Sequence, residues 1–155
     1  MNILRLKVKH MSPDSVFQTC STIAMAGWLI LIITSPFWSS FDKFLVGIVI
    51  TLFAIVYAWL IFQVFRPEDF EKFASLTGVM ELFTDKTAVT AGWVHYLAFD
   101  LLTGIWIKKN AQKYGIHHLI LLPCLLLTFM LGPIGLLLYL LIRAVKTKQY
   151  FASNY

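Results

Sequence analysis

Four apolar stretches, each about as long as a helix that crosses a bilayer, take up most of this 155-residue chain. A crossing helix needs roughly 17–25 apolar residues, and the stretches lie at about 16–35, 43–65, 88–107 and 118–142. Apolar residues make up 59% of the chain and charged residues 14%, against about 45–50% and 25% in soluble domains. The sequence therefore predicts an all-α membrane protein, in which residues 1–155 form a single membrane domain built as a four-transmembrane-helix bundle.

The only substantial polar stretch separates the second apolar stretch from the third, at about residues 67–83. Pro67 followed by Glu68 is a typical helix start. Phe70 and Phe73 begin a series of mostly apolar residues spaced three or four apart. This spacing predicts an amphipathic helix that lies in the plane of the membrane surface. Two roles are open to it: a connector that shields the end of the bundle, or a lid through which lipid enters.

The net charge of +5 is explained by membrane orientation rather than by nucleic-acid binding. If the chain crosses four times, nine Lys and Arg residues flank one face of the bundle and four flank the other. Such an excess favours both termini in the cytoplasm, and membrane lipids with anionic headgroups as partners. The basic start (Arg5, Lys7 and Lys9) is short for an organelle transit peptide. We therefore expect a bacterial-type cytoplasmic membrane.

Asp100 and His95 stand inside the third apolar stretch. A charged side chain at the bilayer centre costs roughly 2.5–3.5 kcal/mol on insertion scales, so such a residue is a candidate for function. On a regular helix the two lie about 140° apart, so they flank one cavity only if this helix is central or kinked. The structural alternatives are an Asp100 carboxyl hydrogen-bonded to Tyr96 and a His95 that donates to a kinked helix.

The fourth apolar stretch contains two prolines and begins with His118, a third candidate for catalysis. A proline removes a backbone hydrogen bond, so the sequence predicts kinks, with a cavity near the second one at Pro133. Counting inward along a single fourth helix places Cys124 at the depth of Asp100, and Gly132 at the depth of His95. The alternative for His118 is a rim residue that faces lipid headgroups.

Several classes of site are excluded by the sequence. Cys20 and Cys124 lie inside apolar stretches, where a thiol is usually a packing residue, so neither a disulfide nor a zinc site is expected. The four histidines are too few and too scattered for a histidine-rich di-iron site. No phosphate-binding loop or nucleophile motif is present. No metal and no cofactor are predicted.

Three segments resemble a known family of small integral membrane proteins. They are GWVHYLAFDLLTGIWI at 92–107, HHLILLPCLLLTFMLGPIGLLLYLLIR at 117–143 and, less strongly, SVFQTCSTIAMAGWLILI at 15–32. On these segments the chain is similar to the abscisic-acid-deficient-four-like family. Its plant members are associated with the formation of neoxanthin from violaxanthin, an epoxide-to-allene isomerisation. Carried over by motif position, the residues of interest are Trp93, His95, Tyr96, Asp100, His118, Cys124 and Thr128.

The resemblance implies a protein that binds a carotenoid or other isoprenoid lipid. In an isomerisation without net redox change, a neutral Asp100 would protonate the epoxide oxygen and His95 would remove a proton from the polyene. Trp93, Tyr96 and Phe99 suit a polyene chain, and they equally suit a lipid-facing surface. The alternative is a non-catalytic membrane subunit, or a lipid-binding factor, that supports a partner enzyme. The sequence leaves this choice open.

Overall fold

A computed structural model describes residues 11–34 and 40–148, and all regular structure in these ranges is helical. The helices are α1 (Pro13–Thr34), α2 (Ser40–Phe44), α3 (Thr51–Val64), α4 (Leu76–Leu82), α5 (Lys86–Lys113), α6 (His118–Leu131) and α7 (Pro133–Thr147). A π-helical segment, Leu45–Ile50, joins α2 to α3, and a 3₁₀-helix, Pro67–Ala74, precedes α4. The predicted all-α class is confirmed. α5 is the central helix, and it packs against α1, α3, α6 and α7.

Two helical segments are long and apolar enough to cross a membrane. They are Pro13–Ile33, with a mean hydropathy of 1.9, and Asp42–Val64, with a mean hydropathy of 2.7. Only 33% and 22% of their apolar windows are buried inside the molecule, whereas a core helix of a soluble protein is mostly buried. Pro36, near which the sequence predicts that the first helix ends, lies outside the described residues.

The direction of each helix follows from side-chain pairs along α5. Asp14, near the start of α1, lies 3.9 Å from Lys86 at the start of α5, so these helices run parallel. Asp42, at the start of the second segment, forms an ion pair with Lys108 near the end of α5. α3 therefore runs antiparallel to α5, and it ends beside the start of α5.

The fourth apolar stretch does not form one crossing helix, which corrects the predicted four-transmembrane-helix bundle. The chain reverses at Gly132, whose φ of 41° and ψ of −94° favour glycine, and Pro133 then starts α7. Gly135 lies so close to Thr128 that a β-carbon would collide with it. α6 and α7 therefore form an antiparallel hairpin where a single kinked helix is predicted over 118–142.

The hairpin also determines at which end of the central helix α7 ends. The Tyr139 hydroxyl donates to Asn110 Oδ1 over 2.6 Å, and the Lys146 ammonium donates to the Gly115 carbonyl. α7 therefore ends beside the end of α5, opposite the start of α1. In the structure Arg143 and Lys146 therefore join the basic residues at the end of α5.

The predicted surface helix consists of two short helices, Pro67–Ala74 and α4, which we call the cap. Ser75 has an extended backbone between them, and its Oγ accepts the Gly78 N–H over 3.1 Å. A serine in this position starts a new helix instead of continuing the old one. Lys72 joins the two parts, since its ammonium lies 3.2 Å from Asp69 and 3.7 Å from Glu81. The exposed apolar residues of this segment are Phe70, Phe73, Leu76, Met80 and Phe83.

Candidate functional site

A cavity of about 630 Å³ lies between the end of α3, the cap and the start of α5. This volume is within the range of about 300–1,000 Å³ that is usual for small-molecule sites. Its apolar wall includes Ile61, Phe65 and Phe83. All the charged side chains that line it come from the segment between Arg66 and Asp85, at the cap end. The cavity therefore has an apolar end along α3 and α5 and a charged end at the cap, which we call the mouth.

The carboxylates at the mouth are occupied by the protein's own groups. Asp85 accepts the N–H groups of Thr87 and Ala88 at the start of α5, over 2.7 and 2.9 Å. Asp69 accepts the Arg66 N–H over 2.9 Å and pairs with Lys72. This hydrogen bond, followed by the bond to Lys72, lowers the pKa of Asp69, and the same partnership raises the pKa of Lys72. These bonds hold the cap in place rather than offering charge to a ligand.

His95 lines the cavity from α5. Its ring centroid lies 4.5 Å from that of Phe99 and 5.5 Å from that of Tyr57 on α3. One turn earlier, a β-carbon on Gly92 would lie 2.9 Å from the Phe83 ring. The glycine therefore lets the end of the cap approach α5 closely, one turn before the exposed His95.

Asp100 lies away from this cavity, at the turn of the α6–α7 hairpin. Its side chain is 9% exposed, and a β-carbon on Gly132 would lie 2.8 Å from its Oδ1. The Tyr96 side chain lies beside the carboxyl, whose Oδ2 has no hydrogen-bond partner among the described residues. Gly132, and not Cys124, therefore stands at the depth of Asp100. The predicted depths assumed one continuous helix.

His118 lies in a third place, at the start of α6. The 14 residues of α6 separate it from the hairpin turn, a length of about 21 Å. Its Nδ1 is buried without a hydrogen-bond partner in the described part of the chain. The structure thus does not bring His95, Asp100 and His118 together. Nor does any group of three His, Cys, Asp or Glu residues in that part have the geometry to hold a metal ion.

The aromatic residues predicted to bind substrate divide between the two faces of α5. Trp93 donates to Ser21 Oγ over 2.9 Å, and its ring centroid lies 5.4 Å from that of Tyr96. These two aromatic residues belong to the face that carries Asp100. Phe99 stacks on His95 and is exposed beside it. Only Phe99 among the three therefore lies near the cavity residue His95.

Cys124 and Thr128 are fully buried inside the hairpin. The Thr128 hydroxyl donates to the Cys124 carbonyl over 2.8 Å, and Gly135 of α7 packs directly against both residues. Their small side chains let α6 and α7 approach closely, as small residues do between membrane helices. In this structure they hold the hairpin together.

Comparison with known families gives one match. A family model described as ABA DEFICIENT 4-like matches residues 15–139, which is most of the chain and includes the cavity, Asp100 and the hairpin turn. The chain belongs to the ABA DEFICIENT 4-like family. The resemblance found in the sequence is thereby confirmed. No curated protein and no solved structure gives a significant match.

This ABA DEFICIENT 4-like protein also contains buried polar residues that the sequence did not single out. Lys108 Nζ lies 2.7 Å from Asp42 Oδ1, and neither side chain is exposed. Asn110 Oδ1 accepts from Tyr139 and from Arg143, over 2.6 and 3.2 Å. These residues stand at the ends of apolar stretches, where solvent exposure is the usual expectation.

Proposed function

We propose that this protein is an integral membrane protein that binds a carotenoid or other isoprenoid lipid in the cavity between α3, the cap and α5. The cavity itself carries the proposal, because it joins an apolar, aromatic end along α3 and α5 to a charged end at the cap. Sites for amphipathic ligands combine apolar walls with a few polar groups in this way. Membership of the family favours an isoprenoid among such lipids.

The outward surface of the helices supports placement in a bilayer. Leu29 and Ile33 on α1, and Ile55 and Phe62 on α3, are each more than half exposed. Apolar surface of this extent is unusual on a soluble monomer, and a bilayer would cover it. In this arrangement α1, the segment Asp42–Val64 and α5 cross the membrane. The α6–α7 hairpin then enters only part of the way, because α6 is about 21 Å long and the hydrocarbon core is about 30 Å thick.

The geometry supports binding better than an acid–base isomerisation that needs His95 and Asp100 together. His95 faces α3 within the cavity, whereas Asp100 faces the hairpin turn. One ligand in the cavity therefore contacts the histidine but not the carboxyl. Binding by itself is compatible with a protein that presents its lipid to a partner enzyme in the membrane.

A glycine pair in the chain provides a matched test of the binding site. Gly92→Leu places a side chain into the cavity beside Phe83, whereas Gly47→Leu adds the same side chain where nothing lies within 4 Å. The protein would be purified in detergent from cells that make carotenoids, and its bound lipids would be measured by chromatography and mass spectrometry. We expect at least a tenfold loss of bound isoprenoid in Gly92→Leu and an unchanged amount in Gly47→Leu.

A second cavity-filling variant, Ile61→Trp, tests the same site in case Gly92→Leu does not fold. Thermal midpoints in detergent show which variants fold. The proposal is wrong if the wild type carries no isoprenoid and takes none up on titration. It is also wrong if folded Gly92→Leu and Ile61→Trp both retain the full amount.

A further inference from the structure

A second concave surface lies at the end of α5 that is farther from the cavity. It is a groove of about 340 Å³ at the base of the α6–α7 hairpin, where α6 begins and α7 ends. Its apolar lining residues are Ile116, Ile120, Leu141, Ile142 and Val145. Lys146, in the last turn of α7, also lines it. The groove therefore combines an apolar wall with a cation at the end that lies farthest from the hairpin turn.

Further cations surround this end of the groove. Lys146 donates to the carbonyl of Gly115, in the turn that follows α5. The Lys113 ammonium lies 5.5 Å from the centroid of the Tyr114 ring, and the Arg143 guanidinium lies 5.8 Å from the same centroid. Positive charges from α5 and α7 therefore gather around one turn of the chain, beside the groove.

No acidic side chain of the same part of the sequence balances these charges. From residue 101 to residue 155 the sequence contains six Lys and Arg residues and no Asp or Glu. Asp42, which also lies at this end of α5, is fully buried and is paired with Lys108. Basic clusters at the ends of membrane helices attract anionic lipid headgroups. The region is thus complementary in charge to a phosphate group, and the groove beside it is complementary to an acyl chain.

The lysines at this end can approach a phosphate while keeping their places in the fold. An ammonium has three N–H donors, and within the described ranges Lys146 uses one of them, toward Gly115. Lys113 and Lys146 are both exposed. Arg143, which is only 2% exposed, adds its charge from inside the protein. The exposed lysines are therefore the groups that would contact the headgroup directly.

The direction of the groove matches that of a lipid in a bilayer. In the membrane placement proposed above, the base of the hairpin lies at the membrane surface and the turn lies within the hydrocarbon. The groove extends from Lys146 to Leu141 along α7, toward the turn. Leu141 and Val145 are 51% and 81% exposed, so an acyl chain would cover apolar surface that the protein leaves open. The headgroup would then lie at the lysines.

We infer that the base of the hairpin binds one phospholipid with an anionic headgroup, with its phosphate beside Lys113 and Lys146 and one acyl chain in the groove. General attraction between basic residues and an anionic membrane needs no groove, whereas this lipid occupies a defined site. The inference rests on the proposed membrane placement but not on the isoprenoid cavity, since α5, with 28 residues, separates the two sites by roughly its length of about 42 Å.

Two phospholipids with the same acyl chains test the inference. Palmitoyl-oleoyl phosphatidylglycerol is anionic, and palmitoyl-oleoyl phosphatidylcholine has no net charge. Each would be titrated into the full-length protein in detergent, and native mass spectrometry would measure the fraction of protein that carries one lipid. We expect the wild type to bind phosphatidylglycerol about tenfold more tightly. Its thermal midpoint should rise with this lipid, because a ligand of the folded state stabilises it.

Matched lysine variants separate a defined site from general surface charge. Lys113→Gln and Lys146→Gln should each lower the affinity for phosphatidylglycerol about fivefold and should change that for phosphatidylcholine little. Lys43→Gln is the control, since Lys43 is exposed and adjoins Asp42 at the same end of α5 but does not line the groove. It should leave both affinities unchanged. Thermal midpoints without added lipid show that the variants fold.

A second matched pair tests the groove. Leu141→Trp fills the groove, whereas Leu126→Trp adds the same side chain at a position of α6 that is equally exposed, at 51%, and lies outside the groove. We expect Leu141→Trp to lower the affinity for phosphatidylglycerol about threefold or more, and Leu126→Trp to bind it like the wild type.

The inference is overturned if the wild type binds both phospholipids equally. It is also overturned if Lys43→Gln loses as much affinity as Lys146→Gln, because the lysines would then act only as surface charge. If Leu141→Trp binds phosphatidylglycerol like the wild type, the groove holds no acyl chain and the inference is wrong in that case too. Gly92→Leu, which tests the isoprenoid cavity, should bind phosphatidylglycerol normally, so the two sites succeed or fail separately.

Discussion

The buried ion pair between Asp42 and Lys108 predicts a large loss of stability when one partner alone is removed. Its two atoms lie 2.7 Å apart, and both side chains are 0% exposed. Removing one partner deprives a buried charge of its counter-charge, so Lys108→Met and Asp42→Leu should each lower the free energy of unfolding by about 3–5 kcal/mol. Asp42 Oδ2 has no hydrogen-bond partner in the described structure, so the pair is incompletely satisfied. The double variant Asp42→Leu/Lys108→Met should therefore be nearly as stable as the wild type, or more stable.

Two buried thiols provide the assay. Cys20 and Cys124 are free and buried, so a thiol-reactive dye reports their exposure as the protein unfolds in detergent. A loss of 3–5 kcal/mol corresponds to a midpoint about 6–20 °C lower, at about 2–4 °C per kcal/mol for a chain of this size. The control is Lys109→Met at the exposed neighbouring position, which should change stability by no more than about 0.5 kcal/mol. The reasoning would be refuted if the single variants had the same thermal midpoint as Lys109→Met. It would also be refuted if the double variant lost as much stability as the two single variants added together.

Two further predictions concern the hairpin. Gly132→Ala should lower the thermal midpoint, because residue 132 has a φ of 41° and the added β-carbon would lie 2.8 Å from Asp100 Oδ1. Backbone strain of this kind costs about 1–3 kcal/mol. Gly47→Ala is the control. A midpoint equal to the control would contradict the described turn. Single cysteines at Ser12 and Lys148, in a variant without the native cysteines, should react with a membrane-impermeant reagent from opposite sides of sealed vesicles. Labelling of both from the same side would instead support a fourth full crossing.

The helices could be predicted from the sequence more reliably than their arrangement. Long apolar runs fix where helices form, because backbone groups in lipid must be satisfied within the segment. The difference between a kink and a reversal, however, depends on the backbone angles of Gly132 alone, and a glycine followed by proline is compatible with both. The hairpin became visible only through its contacts, such as Gly135 against Thr128.

The candidate site shows the same division between local and non-local information. His95 could be identified because a histidine in an apolar run is unusual. Tyr57 could not, because its position opposite His95 depends on the register between α3 and α5, which no local pattern encodes. The register is fixed in part by the ion pair of Asp42 and Lys108 at the other end of the same two segments. Each of those residues stands in a locally polar context that gives no sign of burial.

The position of Asp100 offers a physical explanation for a carboxyl in the middle of an apolar helix. A charged residue there costs roughly 2.5–3.5 kcal/mol on insertion scales. In the structure the carboxyl stands at the N-terminus of α7, beside Gly132. The positive end of a helix stabilises a partly buried anion by up to about 2 kcal/mol. This contribution offsets much of the cost, so Asp100 can be retained for the hairpin turn alone, without any role in chemistry.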